Sequence, residues 1–247
     1  MTRDSQTTDL QKTAVITGAN GGMGVAACLH LHAQGWHILA IDRGHQDLAA
    51  LHDSPRYKAL ACDLRAPALI EQTAAALQGM PAPIALINLV GSSVGDSIDQ
   101  LTDEDWYDSF AINVTPAMKL TQLVAPLMAS AGGGSIVNVG SPVGLIGARK
   151  PSYAASKAAL QGLTMSTARN LGGDNIRVNL LLPGPTITKM TSDWSQEKQN
   201  GIAQSSFLKR LCQADEVART LAFMIGPDSS YLTGSILDLT AGSMYGH

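Results

Sequence analysis

A glycine-rich run between an apolar, strand-like segment and a helical segment is the feature that most constrains this chain. The run spans Thr17 to Gly24 and precedes the apolar residues of 25–31. A strand, a tight glycine turn and a helix form the context in which backbone N–H groups at a helix N-terminus bind a diphosphate. Gly18 would allow the tight turn, Gly22 the close approach of the backbone to phosphate, and Gly24 close helix packing. The spacing Gly-x-x-x-Gly-x-Gly differs from the commoner Gly-x-Gly-x-x-Gly, so an ordinary glycine-rich loop is the competing interpretation.

A carboxylate ends the next apolar run. Asp42 follows residues 36–41 and is expected at the tip of a second parallel strand. A carboxylate there accepts hydrogen bonds from the adenosine ribose hydroxyls and repels a 2′-phosphate, which favours NAD over NADP. Arg43 leaves NADP as the alternative cofactor, because a guanidinium could pair with that phosphate. Gly21, however, stands where a second basic residue would reinforce such a site.

A tyrosine and a lysine stand four residues apart at the start of a predicted helix. Pro151 opens an alanine-rich segment, and residues i and i+4 share a helix face, so Tyr153 and Lys157 are expected to lie side by side. A phenol has an unperturbed pKa near ~10, and a neighbouring ammonium would stabilise its anion for acid–base work. The pair alone arises easily by chance, and its meaning depends on the motifs around it.

Strand-like and helical segments alternate along the chain, a pattern typical of a parallel sheet covered by helices on both faces. Predicted strands lie near 13–17, 36–42, 57–62, 84–88, 134–140, 175–182 and 235–239, and predicted helices near 69–77, 106–128, 153–171 and 216–225. The expected fold class is therefore α/β, a doubly wound parallel sheet of about seven strands. Residues 12–247 are expected to form one domain after a flexible N-terminal tail, residues 1–11.

These motifs resemble those of the short-chain dehydrogenase/reductase family along nearly the whole chain. The glycine run resembles the family's Thr-Gly-x-x-x-Gly-x-Gly loop, Cys62-Asp63-Leu64 its adenine-binding segment, Asn88-Leu89-Val90-Gly91 its Asn-Asn-Ala-Gly, and Arg177-Val178-Asn179, Pro183-Gly184 and Thr188 its nicotinamide-binding segment. Asn113, Ser141, Tyr153 and Lys157 match the family's catalytic residues. The resemblance implies a Rossmann-type fold and an oxidoreductase that uses NAD, or less favourably NADP, on a CH–OH group.

The resemblance also implies a role for each matched residue. Tyr153 would exchange the proton on the substrate oxygen, Lys157 would lower the phenol pKa and bind the nicotinamide ribose, and Ser141 would position the substrate oxygen. Asn113 would hold a water that connects Lys157 to solvent. Ser141 could instead simply end a strand, and Asn113 could mark only a helix irregularity. The implied cofactor contacts are Gly18, Asn20, Gly21, Gly22, Met23, Gly24, Asp42, Arg43, Asp63, Leu64, Asn88, Gly91, Tyr153, Lys157, Pro183, Gly184, Thr186 and Thr188.

Two departures from the family pattern affect these expectations. Leu89 and Val90 stand where the family usually has Asn and Ala, which weakens the polar bracing of that strand end. Gly140 replaces a common serine, so Ser141 is the only hydroxyl in residues 139–144. We expect cofactor binding to survive both changes.

Residues 185–208, called the lid segment below, are predicted to be irregular and stand where the family carries a mobile substrate lid. Met190 and Trp194 are expected to help cover an apolar or ring-bearing substrate, although an ordinary surface excursion is the alternative. Arg149, in the short loop before Tyr153, is a candidate for attracting a substrate carboxylate. Such a residue is more often solvated surface.

Charge and composition limit the partners. The net charge is −3 and no Lys/Arg cluster resembles a nucleic-acid footprint, so we expect a small-molecule alcohol or ketone and other copies of the chain as partners. The three cysteines are far apart in sequence and favour a reducing, cytoplasmic location, and the six histidines lack metal-ligand spacing. No apolar run approaches the ~20 residues that span a bilayer.

Two other functions compete with a dehydrogenase. A dinucleotide-binding regulator on the same fold would keep the glycine loop but would not need Ser141, Tyr153 and Lys157 together. A serine hydrolase would need a Gly-x-Ser-x-Gly elbow, which the residues around Ser141 lack. The family resemblance further implies a homo-oligomer, a tetramer that pairs helices near 105–130 and 151–171.

Overall fold

Seven parallel strands form the central sheet of this computed structural model, which describes residues 11–192 and 194–244. Residues 1–10 of the expected tail lie outside the described residues, as do the side chains of Met190 and Ser192. The strands are β1 Thr13–Thr17, β2 His37–Asp42, β3 Tyr57–Ala61, β4 Pro83–Asn88, β5 Gly134–Val139, β6 Ile176–Pro183 and β9 Ile236–Leu239, in the order β3-β2-β1-β4-β5-β6-β9. Two short strands, β7 Thr186–Ile187 and β8 Cys212–Gln213, pair separately. The strand order reverses between β1 and β4, and ligands of doubly wound folds bind at the carboxyl edge beside such a reversal.

Helices cover both faces of the sheet. They are α1 Gly22–Ala33, α2 Leu69–Leu77, α3 Asp103–Asn113, α4 Thr115–Ser130, α5 Val143–Ile146, α6 Pro151–Leu171, α7 Lys189–Ser192, α8 Gln196–Gln204 and α9 Ala214–Ile225. Alternate residues of β1 enter different cores, with Ala14 and Ile16 packing on the α1 and α9 side and Val15 on the α2 and α4 side. Because both faces of the strand are buried, its sequence is a continuous apolar run and does not alternate.

The predicted α/β fold with one doubly wound sheet of seven strands is confirmed, and the predicted strand ends lie within a residue of those observed. The prediction of one continuous helix over 106–128 was wrong. The backbone breaks at Val114 (φ −120°, ψ −52°) between α3 and α4. Pro116 explains the break, since proline has no N–H to bond back to the carbonyl four residues earlier and its ring crowds the preceding helical turn.

The prediction of an irregular lid segment was also wrong in part. The segment contains α7 and α8, and α8 begins at a serine cap, where the side chain of Ser195 accepts a hydrogen bond from the backbone N–H of Lys198 at 3.2 Å. Serine is a favoured residue at this position because it satisfies a free N–H group of the first turn. Within the described residues, no helix is both long and apolar enough to cross a membrane.

Candidate active site

The glycine loop is closely packed against its neighbours. Gly18 has φ +67°, a conformation that favours glycine, and a Cβ there would lie 3.0 Å from the Cα of Val90 on the neighbouring strand end. A Cβ on Gly24 would lie 2.1 Å from the carbonyl oxygen of Gly18. Helix α1 begins at Gly22 after an N-cap, Gly21, that has no capping side chain. The loop therefore leaves backbone N–H groups at a helix N-terminus available to an anion.

The carboxylate of Asp42 is tied to this loop. Its Oδ2 accepts a hydrogen bond from the backbone N–H of Asn20 at 2.9 Å, and its Oδ1 accepts one from Arg43 N–H at 2.7 Å. The side chain of Asn20 in turn accepts a hydrogen bond from the backbone N–H of Asp47 at 2.9 Å. The strand-end carboxylate predicted from sequence thus lies beside the glycine loop, with its position fixed by two backbone donors.

A cavity of about 850 Å³ opens along this edge. Among the predicted cofactor residues, Gly18, Asn20, Gly21, Gly22, Met23, Asp42, Arg43, Asp63, Leu64, Gly91 and Thr188 line it. The cavity wall does not include Gly24, Asn88, Tyr153, Lys157, Pro183, Gly184 or Thr186. Gly24 instead packs α1 against the loop, as described above. Asn88, Pro183 and Gly184 stand at strand ends, Thr186 in β7, and Tyr153 and Lys157 on α6.

The predicted catalytic trio meets at one place. Tyr153 and Lys157 lie on consecutive turns of α6, and the Nζ of Lys157 is 6.0 Å from the centre of the Tyr153 ring. The hydroxyl of Ser141, beyond the end of β5, interacts with the Tyr153 phenol and lowers its pKa. Lys157 Nζ donates to the carbonyl oxygen of Val139 at 3.0 Å, and a Cβ on Gly91 would lie 3.1 Å from it. The ammonium therefore borders this cavity at Gly91.

The pKa of the Tyr153 phenol does not follow the expectation that Lys157 lowers it. Burial raises the pKa of Tyr153 above its ordinary value, and the Ser141 hydroxyl acts in the opposite direction. Burial also lowers the pKa of Lys157 from 10.5 to about 8. Lys157 is only 3% exposed, so burial makes the amine costly to charge, and the carbonyl of Val139 offsets part of that cost by accepting a hydrogen bond from Nζ.

Asn113 and Asn88 act as buried braces. The side-chain oxygen of Asn113 accepts from Ser92 N–H at 2.9 Å, and its Nδ2 donates to the Ser92 carbonyl and the Ser156 hydroxyl, each at 3.0 Å. Asn113 thus links α3 to the cavity wall and to α6, while its predicted water-holding role stays a prediction. Asn88 Nδ2 donates to the Asn138 side chain at 2.8 Å, which joins β4 to β5.

Pro183 and Gly184 end β6, and the Gly184 N–H donates to Leu239 on β9 at 3.1 Å. Beyond them the chain turns over the glycine loop. The Thr191 hydroxyl donates to the carbonyls of Thr186 and Thr188 and accepts from Thr188 N–H. A Cβ on Gly22 would lie 2.6 Å from the Cβ of Thr188. This segment therefore lies directly against the glycine loop at Gly22.

The family comparison agrees with this geometry. A family model described as short chain dehydrogenase matches residues 12–199. The chain belongs to the short-chain dehydrogenase family. It is 31% identical over 247 residues to a (3R)-3-hydroxyacyl-CoA dehydrogenase of Mus musculus, covering 93% of this chain and 95% of that protein. It is 30% identical over 235 residues to a 3-oxoacyl-[acyl-carrier-protein] reductase of Escherichia coli, with 94% and 96% covered.

Solved structures give the same assignment. A variant of the actinorhodin polyketide ketoreductase with NADPH superposes with a TM-score of 0.87 at 27% identity, covering 95% of this chain and 98% of that chain. An oxidoreductase of the family from Burkholderia thailandensis also has a TM-score of 0.87, at 26% identity, with 96% and 94% covered. As a short-chain dehydrogenase, the protein is an oxidoreductase that acts on CH–OH or keto groups.

The predicted substrate residues of this short-chain dehydrogenase have mixed outcomes. Arg149 already pairs with Asp96, Nη2 to Oδ1 at 3.1 Å, so a substrate carboxylate would have to displace Asp96. Trp194 is half-buried and carries the Lys198 ammonium 4.6 Å above its ring. The prediction for the Met190 side chain falls outside the described residues.

Sequence reasoning missed several residues of the cavity wall. These are Arg65, Ser92, Ser93, Val94, Asp108, Ile112 and Lys189. Arg65 could have been found from its position two residues after Asp63, a matched motif residue. Asp108 carried no signal, because it lies on α3 and reaches the wall only through the tertiary fold.

Proposed function

We propose that this short-chain dehydrogenase transfers a hydride between NAD(H) and a secondary alcohol or ketone, with Tyr153 as the general acid and base. The observation that carries the proposal is that Tyr153 and Lys157 share one face of α6, with the Lys157 ammonium beside Gly91 in the wall of a cavity lined by the glycine loop. The similar proteins named above act, by their names, on hydroxyacyl, oxoacyl or polyketide groups, which are CH–OH and keto chemistry.

The residues of the cavity fit a dinucleotide. The close contacts at Gly18 and Gly24 and the uncapped start of α1 form a cradle for a diphosphate, and Asp42 stands where adenosine ribose hydroxyls would be recognised. When bound, NAD(H) supplies the hydride acceptor or donor. Gly91 lies beside the Lys157 ammonium, which supports a role for that amine in holding the nicotinamide ribose.

The catalytic roles follow from the contacts. Ser141 donates a hydrogen bond to the substrate oxygen and fixes its position beside the phenol. Tyr153 gives its proton to that oxygen in reduction and takes it back in oxidation. Lys157, with a pKa of about 8, is mainly an ammonium at neutral pH and stabilises the phenolate as it forms. Asn113 holds the Ser92 backbone and α6 in place through its hydrogen bonds to both.

Asp42 supports NAD over NADP, because a 2′-phosphate would lie against a carboxylate. Arg43 is exposed and offers one positive charge near that place. NADP is the second candidate, because the similar polyketide ketoreductase was solved with NADPH. The relative affinity of the wild-type protein for NADH and NADPH, measured by fluorescence titration, decides between them.

An apolar or ring-bearing substrate is supported by the surface beyond Ser141. Leu145 and Ile146 on α5 are 46% and 57% exposed, and α5 packs on α6 so closely that a Cβ on Gly144 would lie 2.8 Å from the Ala158 nitrogen. Exposed apolar side chains next to a catalytic hydroxyl favour a ligand that covers them. Trp194, in the lid segment, is the proposed cover from the other side.

The test is turnover by Tyr153→Phe on a panel of secondary alcohols and ketones. Loss of the proton-transfer group should lower kcat by ~10²–10⁴-fold while NADH affinity, measured by fluorescence titration, stays near that of the wild type. The alternative, a dinucleotide-binding regulator, predicts NAD binding by the wild type with no turnover of any panel member. A Tyr153→Phe protein as active as the wild type would refute the assigned role.

Two further proposals concern assembly and location. Exposed apolar residues on α3, α4 and α6, among them Tyr107 at 70% and Met165 at 45%, support a homotetramer through these helices. Light scattering at micromolar concentration tests it. The cysteines Cys28, Cys62 and Cys212 are unpaired, which supports a reducing compartment such as the cytoplasm, testable by cell fractionation.

A further inference from the structure

An arginine in the cofactor cavity is held between two carboxylates. Arg65 Nε and Nη2 donate to the two carboxylate oxygens of Asp63 at 3.3 and 3.1 Å, and Arg65 Nη1 lies 3.5 Å from Oδ2 of Asp108. The backbone N–H of Arg65 also donates to Asp63 Oδ1 at 2.9 Å. All three residues line the cavity, and Asp108 comes from α3, far away in sequence.

This arrangement determines what Arg65 can offer a ligand. The edge of a guanidinium carries its hydrogen-bond donors, and here nitrogens on both sides of that edge face carboxylates. The flat faces of the group have no such partners among the described residues. A planar guanidinium with fixed edges is suited to stacking on an aromatic ring, and two carboxylates make it a weak centre for attracting a further anion.

Asp63 keeps part of its accepting capacity. Its Oδ1 accepts the two bonds from Arg65 N and Nε, whereas its Oδ2 accepts one, from Nη2. A carboxylate oxygen has two lone pairs, so Oδ2 can accept another hydrogen bond, such as one from an exocyclic amine. The guanidinium face of Arg65 and this remaining accepting capacity of Asp63 both border the cavity, and each is a feature that a purine base can use.

We propose that Arg65 is an adenine-binding residue, which stacks its guanidinium face on the purine of the dinucleotide while Asp108 holds the group in place. The proposal rests on the proposed dinucleotide cofactor and adds to it a residue and a mode of binding. It also makes Asp108 a positioning residue, acting on the base through Arg65 from the helix that ends at Asn113.

The experiment measures the affinity of purified protein for NADH, NADPH and ADP by fluorescence titration and calorimetry. The variants are Arg65→Met, Arg65→Lys and Asp108→Asn. The control is Arg219→Met, which removes an exposed arginine paired with Asp215 on α9, away from the cavity. Thermal unfolding of each protein shows that it is folded.

The three variants should weaken binding to different extents. Arg65→Met should weaken NADH, NADPH and ADP by a similar factor of about tenfold, because all three carry the same base. Arg65→Lys should weaken binding by most of that factor, since an ammonium keeps the charge but has no planar face to stack on a base. Asp108→Asn should cost about threefold, and Arg219→Met should change nothing.

Other results would overturn the proposal. Loss of NADPH affinity alone in Arg65→Met would make Arg65 a 2′-phosphate ligand, and full affinity in Arg65→Lys would show that charge acts and not the plane. Unchanged ADP binding by Arg65→Met would remove Arg65 from the base site. If Arg65→Met fails to fold, Arg65→Lys and Asp108→Asn carry the test with the same ligands. If the wild-type protein binds none of the ligands, the proposed function fails as well. This outcome differs from a failure of the Arg65 proposal alone, because it is seen in the wild type before any variant is compared.

Discussion

The glycine loop and the lid segment meet at the contact between Gly22 and Thr188, but they are built in opposite ways. In the loop, a Cβ on Gly24 would lie 2.1 Å from a backbone oxygen, so the backbone itself fills the available space. In the lid segment, α8 has no buried residue, and Phe207 and Leu208 are 63% and 61% exposed. The described residues of the lid segment are held largely by hydrogen bonds, such as those of the Thr191 and Ser206 hydroxyls, and by the ion pair of Lys189 with Asp47.

The difference separates two functions within one molecule. Backbone packing fixes the loop, and in the proposed function the loop and buried residues such as Lys157 determine the reaction class. A segment with few buried apolar contacts opens at low free-energy cost, and substrate recognition commonly resides in such segments. The substrate should therefore be determined by the region that the fold constrains least.

The largest expected effect concerns the buried side of this comparison, through the titration of Lys157. Burial lowers the pKa of Lys157 to about 8, whereas the unfolded chain has the ordinary 10.5. Between these values the unfolded state binds a proton that the folded state lacks, so the contribution of Lys157 to stability rises with pH from about 8 to 10.5 and is fully unfavourable below about 8. The total is about 3 kcal/mol.

Urea unfolding of the wild type and Lys157→Met at pH 7, 8, 9 and 10 measures this directly. The free energy of unfolding of the wild type should gain on that of the variant as pH rises above 8, because only the wild type carries the titrating amine. Two parallel curves would show that Lys157 keeps its ordinary pKa. The comparison with the variant is needed because other groups titrate in the same range.

The same substitution should have opposite signs in the two regions. Gly24→Ala places a methyl group against the Gly18 carbonyl and should destabilise the protein by about 1–3 kcal/mol, with weaker NADH binding. Gly201→Ala lies inside α8, where a Cβ meets nothing within 4 Å, and should stabilise by about 0.5–1 kcal/mol because alanine has less backbone entropy to lose. Thermal unfolding of both variants is the measurement. If both lower the unfolding temperature equally, the lid segment is as tightly packed as the loop.

The sequence predicted the parts of the fold that depend on local chemistry. Strand ends were found because each buried strand is an apolar run that stops at a glycine or polar residue, as β1 stops at Thr17 and β2 at Asp42. Helix α6 was found because Pro151 opens it and alanine continues it. In such cases one short window holds the whole physical cause.

The missed features depend on contacts between distant segments. Arg65 pairs with Asp108 and Arg149 with Asp96, and no pattern within one segment predicts which carboxylate lies opposite a given arginine. The same reason explains the phenol pKa, since the spacing of Tyr153 and Lys157 does not reveal how deeply each is buried. The break at Val114 is different, because Pro116 was a local signal and the prediction did not use it.

The smallest expected effect tests how the two regions are joined. Lys189 in α7 lines the proposed cofactor cavity and pairs with Asp47, Nζ to Oδ1 at 2.5 Å. The lysine side chain is 79% exposed, and exposed ion pairs contribute at most about 1 kcal/mol. Lys189→Met should therefore raise the rate of NADH dissociation by about threefold in low salt, measured by stopped-flow fluorescence. The difference from the wild type should vanish near 1 M salt, where charges are screened within about 3 Å.

The double variant Asp47→Lys, Lys189→Asp should restore the wild-type rate, and Lys198→Met, which removes an exposed lysine from α8, should not alter it. A salt-independent increase would mean that Lys189 acts through packing and that the lid segment is not closed by charge.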